Sequence, residues 1–97
     1  MKIVTTGIAG TMESNDIMIT IDPKDQGGIV LRLSSSVMQQ FGRQIESVIR
    51  ETLSELGITD ATVDAVDKGA LDCTVRARVN AAAYRAAKSE DYVWGAR

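Results

Sequence analysis

Leu71-Asp72-Cys73-Thr74-Val75-Arg76-Ala77-Arg78-Val79 is the most regular alternation in the chain, and the fold turns on how it is read. Leu71, Cys73, Val75, Ala77 and Val79 fall on one side of a two-residue period, and Asp72, Thr74, Arg76 and Arg78 on the other. That period belongs to a strand with one buried face. It predicts a strand over 71–79, with Cys73 a small core residue beside Leu71 and Val75 rather than an acyl-bearing thiol. Just upstream, Ala61-Thr62-Val63-Asp64-Ala65-Val66 predicts another strand, and Asp67-Lys68-Gly69-Ala70 the turn that reverses it. Just downstream, Asn80 is placed to cap a short helix through 81–87, rich in alanine. Residues 89–97 show no period and read as a tail.

Towards the amino terminus, Ile17, Ile19 and Ile21 alternate with Met18 and Thr20, and Pro23 ends that strand because it cannot donate to a ladder. Asp22-Pro23-Lys24-Asp25-Gln26-Gly27-Gly28 has turn composition, after which Ile29, Leu31 and Leu33 alternate with Val30 and Arg32. The expectation is a hairpin, preceded by an extended arm or edge strand over 3–10. Ser36 and Gln39 have the spacing of a capping box. Val37, Phe41, Ile45, Val48, Ile49, Leu53 and Leu56 then recur at helical spacing until Gly57, a natural C-terminal cap. Gly42, inside that helix, suggests close packing against a strand.

These elements give an α+β fold: an antiparallel β-sheet with one long amphipathic helix packed on one face, as a β-β-α-β-β core with a short C-terminal helix. The 97 residues make one domain over 1–97, which buries roughly 60–65% of its unfolded surface. The sheet's other face would carry Met18, Thr20, Val30, Arg32, Thr62, Asp64, Val66, Thr74, Arg76 and Arg78, a mixed surface suited to docking.

Composition removes several function classes. A net charge of -2 provides no positive field for a phosphate backbone, so nucleic acid is not an expected partner. No apolar run reaches the ~20 residues of a membrane span, and the start lacks a signal-peptide core, which implies no membrane and a cytoplasmic location. A single cysteine and no histidine leave almost no soft ligands, so no metal is expected.

The polar stretch Thr11-Met12-Glu13-Ser14-Asn15-Asp16, between Ala9-Gly10 and Ile17-Met18-Ile19, reads as an exposed loop. Ser14 offers a hydroxyl, yet the chain has no histidine to activate it, and Glu13 and Asp16 are too acidic to deprotonate an alcohol at neutral pH. From these residues alone Ser14 reads first as part of an ordinary polar turn, and, if it does chemistry, as a hydroxyl that receives a group rather than one that attacks a substrate.

The run from Ala9 to Ile19 resembles the amino-terminal signature of the citrate lyase acyl carrier protein, the gamma chain of that complex. Asp67-Lys68-Gly69-Ala70-Leu71-Asp72-Cys73 and Ser35-Ser36-Val37-Met38-Gln39-Gln40-Phe41-Gly42 are similar to the same family, in the same order. The Asp-Ser-Leu motif of ordinary phosphopantetheine carriers is absent, since Ser14 stands between Glu13 and Asn15. The resemblance implies a non-catalytic carrier subunit of a lyase complex used in citrate fermentation. It implies that Ser14 bears 2'-(5''-phosphoribosyl)-3'-dephospho-CoA through a phosphodiester, installed by a prosthetic-group transferase. The arm's thiol would carry acetyl and citryl thioesters between an alpha subunit, the acyl transferase, and a beta subunit, the citryl lyase, releasing oxaloacetate and acetate.

The related malonate decarboxylase carrier would use the same serine with other partners. A small ligand-binding or regulatory α+β domain would make Ser14 a turn residue, and a self-sufficient enzyme would lack a base. Arg32, Arg76 and Arg78 suit the phosphates of an arm or are ordinary outward arginines. Glu13 and Asp16 either mark the site for the loading enzyme or keep the loop soluble. Gly10 is expected to let that enzyme approach the backbone, so that Gly10→Val slows loading while the domain stays folded. Trp94 in the tail is either a plug on its own domain or an anchor for a partner, and the second is the reading preferred.

Overall fold

The computed structural model describes residues 1–88. Four strands and two helices follow one another as β1 (Gly7–Ala9), β2 (Ile17–Pro23), β3 (Ile29–Ser35), α1 (Met38–Glu55), β4 (Ala61–Asp67) and α2 (Asp72–Ala87). The architecture is α+β with a long amphipathic helix, as the periods predict. Trp94 and the rest of the expected tail lie outside the described residues.

Several expectations are corrected. Residues 72–79 are the first half of α2, not a strand, and Asn80 lies inside that 16-residue helix instead of capping a short one. Val75, Val79, Ala82, Ala83 and Ala86 are all buried, at the spacing of one helix face, while Leu71, Cys73 and Ala77 are exposed. Val75 and Val79, four apart, satisfy both periods, and the alanines beyond them decide for the helix. Cys73 is therefore an exposed thiol on the first turn of α2, not a core residue.

The sheet is also mixed rather than wholly antiparallel, in the order β1-β2-β4-β3. β2 and β3 do not form a hairpin, because β4 lies between them, antiparallel to β2 (Ile19↔Ala65) and parallel to β3 (Leu31↔Val63). A parallel neighbour needs a crossover, and α1 supplies it. β4 suits the middle because its inward residues Ala61, Val63 and Ala65 are small and almost wholly buried, which lets the helix layer come close. The chain between β2 and β3 is tied to the end of β4 by Gly28 N–H donating to Asp60 Oδ1 at 2.9 Å.

A further correction concerns the start of α1. No side chain caps it at Val37; Ser35, not Ser36, works there, accepting from Val37 N–H at 3.1 Å and donating to Asp67 Oδ2 at 2.7 Å. At the other end the expectation holds. Gly57 takes φ 72°, with Ile58 N–H reaching Leu53 O and Gly57 N–H reaching Ser54 O, the paired bonds of a Schellman motif. A Cβ on Gly42 would meet only the Met38 thioether of its own helix, so no strand packs there.

Both helices cover one face of the sheet. α1 contacts β3 and α2, and α2 contacts β1 and β2. Ile17, Ile19, Ile21, Ile49, Leu53, Val63, Val75 and Val79 fill the space between the layers. Met18, Thr20, Val30, Arg32, Thr62, Asp64 and Val66 share the uncovered face as expected; Thr74, Arg76 and Arg78 stand on α2 instead.

Candidate functional site

Residues 10–16 join β1 to β2, which pair antiparallel at the sheet edge, so the loop is held from both ends. Its corner is a turn in which Asp16 N–H donates to Glu13 O at 3.2 Å, with Ser14 and Asn15 between them. Asn15 takes φ 67°, a conformation that asparagine tolerates better than most residues and that the third position of a type II turn requires. Ser14 is exposed at this corner, and no side-chain hydrogen bond engages its hydroxyl among the described residues.

Asp16 organises the loop. Its Oδ2 accepts from Thr11 Oγ1 at 2.7 Å and its Oδ1 from Ile17 N–H at 2.7 Å. The Arg78 guanidinium, reaching from α2, donates to both oxygens, Nε to Oδ1 at 3.0 Å and Nη2 to Oδ2 at 2.9 Å. Thr11 Oγ1 in turn accepts from Glu13 N–H. A second tie runs through the backbone: Asn15 N–H donates to Lys68 O at 2.8 Å and Lys68 N–H to Asp16 O at 2.9 Å. The 67–70 segment is itself fixed by the buried Asp67 carboxylate, which accepts from Ser35 Oγ, Gly69 N–H and Ala70 N–H. Arg78 from α2 and the 67–70 segment thus immobilise the residues next to Ser14 and leave its side chain free.

The Arg78 hydrogen bonds hold the Asp16 carboxyl well below the usual carboxylate range, against partial burial and with help from Thr11 and Ile17; the same pair raises Arg78. An acid so firmly ionised is a poor base for the Ser14 hydroxyl. Among the described residues no cluster of histidine, cysteine, aspartate and glutamate could hold a metal, and no helix is long and apolar enough to cross a membrane.

The sign of the Asp16 effect is testable. A carboxyl depressed in the folded state stabilises the fold above its unfolded value near 3.8, and that contribution is lost as pH falls through the folded value. Asp16→Asn is expected to cost about 1–2 kcal/mol at neutral pH, since Asp16 is only 13% exposed. In urea titrations the gap from wild type should hold from neutral pH down to about 5 and shrink only as pH falls below about 4, beyond the unfolded value. A gap independent of pH would show that the ion pair is not its source.

Of the arginines expected near phosphate, only Arg78 reaches the loop, and it is occupied by Asp16. Arg32 pairs with Asp64 on the open sheet face, and Arg76 with Glu51 and Glu55. Neither is brought to Ser14. The roles of Asp16, Arg78 and Lys68 went unread because they depend on partners distant in sequence. Gly10 also differs from expectation. It takes φ 101°, and an added Cβ would collide with Ile17 O, so the chain's own backbone already requires glycine there and a bulkier residue would not leave the fold untouched.

Residues 4–86 match the family described as ACP: Malonate decarboxylase delta subunit (MdcD). The chain is 56% identical to the citrate lyase acyl carrier protein of Fusobacterium nucleatum, over 95% of this chain and 98% of that one. It is 55% identical to that of Streptococcus mutans, over 97% and 92%. The chain belongs to the citrate lyase acyl carrier protein family. Within that family it also matches citrate lyase acyl carrier protein 2 of Salmonella typhimurium at 54% identity, over 99% of each chain. The fold is shared more widely: one chain of a Pseudomonas malonate decarboxylase hetero-tetramer in complex with malonate superposes with a TM-score of 0.65 at 19% identity, covering 84% of this chain and 88% of that one. A citrate lyase acyl carrier protein is by name a carrier for acyl groups, and the loop at Ser14 is the candidate functional site of this chain.

Proposed function

We propose that this chain is the carrier subunit of a citrate lyase and that Ser14 is where its arm is attached. The observation that supports this is a free, exposed hydroxyl at a corner whose neighbours are pinned by Arg78 and Lys68. A phosphodiester on Ser14 Oγ fits that position, since it displaces no internal bond and extends into solvent. The arm would be 2'-(5''-phosphoribosyl)-3'-dephospho-CoA, whose thiol supplies a thioester for acetyl and citryl groups.

The chain's own residues present that arm. Asp16 and Arg78 fix the corner, Gly10 turns the chain into it, and the sheet edge gives it a rigid base. Tethering turns encounters between a thioester and two active sites into intramolecular ones at high effective concentration. The partners are the alpha and beta subunits and the transferase that installs the arm; the chain itself is non-catalytic, one carrier domain over 1–97.

Intact-mass measurement on the chain purified from its native host tests this. The expected result is a single large adduct, placed on Ser14 by peptide fragmentation, in a complex that splits citrate. An unmodified chain, or an adduct on another residue, would overturn the assignment. Co-purification with malonate decarboxylase subunits instead would keep the serine and change the partners.

A further inference from the structure

A pocket of about 340 Å³ lies between the amino-terminal turns of α1 and α2, walled by Val37, Phe41, Ile45, Ala70 and Leu71. Its lining is mostly apolar, yet Phe41 is 52% and Leu71 71% exposed, unusual for large apolar side chains that face each other across a groove. Gln44 and Asp72 give it a polar rim, the Gln44 amide donating to Asp72 Oδ2 at 2.8 Å. Gly69 also lines the pocket, and the Asn15 side-chain oxygen lies 3.7 Å from where a Gly69 Cβ would stand. The groove therefore begins beside the residue that follows Ser14.

The geometry points to this groove as the resting berth of the arm's pantetheine segment, an inference that rests on Ser14 bearing the arm. That segment alternates methylene and dimethyl carbons with amides, matching apolar walls and a rim that offers an amide and a carboxylate. Its anchor cannot drift from the groove, because Asn15 and Asp16 are bonded to Lys68, the residue before Gly69. A phosphoribosyl group, an adenosine and a diphosphate separate Ser14 from the pantetheine segment, so the arm folds back to reach the groove; a flexible tether of that reach still holds it at roughly millimolar effective concentration, so a weak intrinsic affinity docks it for much of the time and still releases it to an enzyme.

The test compares backbone amide NMR spectra of the loaded chain with those of the unloaded chain, loading being verified by intact mass. The expected result is shifts at Phe41, Ala70 and Leu71 as well as in the 11–16 loop. Leu71→Asp, at an exposed position, should abolish the groove shifts while leaving the loop shifts and the extent of loading unchanged. Shifts confined to the loop, groove shifts that persist in Leu71→Asp, or groove shifts that appear only when the lyase subunits are added would each overturn the berth and leave the Ser14 assignment intact. A chain whose mass shows no adduct would instead remove the assignment beneath it.

Discussion

Ser14→Ala, expressed in the native host, is expected to carry no arm at all and to leave the lyase complex without turnover, while its folding stability stays within about 0.5 kcal/mol of wild type. Both halves follow from the same geometry. The hydroxyl is exposed and makes no side-chain hydrogen bond among the described residues, so its removal costs the fold little. It is also the free hydroxyl of the loop: Thr11 Oγ1 donates to Asp16 and accepts from Glu13, and so is engaged twice. Thr11→Ala should therefore keep its adduct and lose some stability, the reverse of the Ser14 variant. Mass spectrometry and urea unfolding on the two variants read both effects. An adduct that survives Ser14→Ala would end the carrier assignment at this residue.

Gly10→Val should act on the fold first and on loading only as a consequence. The left-handed backbone at Gly10 costs a non-glycine residue about 1–2 kcal/mol by itself. The added Cβ would also stand 1.8 Å from Ile17 O and 2.9 Å from Ile17 C, atoms of a buried strand that cannot yield as a flexible side chain does. Separating β1 from β2 would relieve the clash and break the pairing of Ala9 with Ile19. Together these should cost at least about 3 kcal/mol, a large share of the ~5–15 kcal/mol that holds a domain of this kind together. A lowered urea midpoint, with poor recovery of folded protein, is the expected result. A variant with a wild-type midpoint and slow loading would restore the reading in which Gly10 only makes room for the transferase.

The sequence carried its local information faithfully. The isoleucine alternation at 17, 19 and 21 marks a buried strand face, the apolar spacing from Ile45 to Leu53 marks the inner face of α1, and Gly57 marks its end. The failures share a physical cause. At 71–79 two periods coincide on Val75 and Val79, and the choice between them depends on alanines that pack only once the sheet exists. The separation of β2 from β3 is not legible locally, because turn composition between two alternating runs does not reveal a third strand that enters between them from residue 61 onward. The site divides in the same way. Ser14 is legible as a hydroxyl in an exposed turn, but the Asp16 and Arg78 contact spans 62 positions and leaves no local trace.

The central place of β4 bears on how the chain emerges from the ribosome. β2 and β3 never pair with each other and lack their shared partner until residues 61–67 arrive between them, and the loop at Ser14 lacks its guanidinium brace until Arg78 follows. Nascent chains add about 5–20 residues per second, so a newly made amino-terminal half exists for seconds as an unassembled sheet. An enzyme that recognises the braced corner would pass over truncated or still-growing chains, and the costly nucleotide would be spent on completed domains.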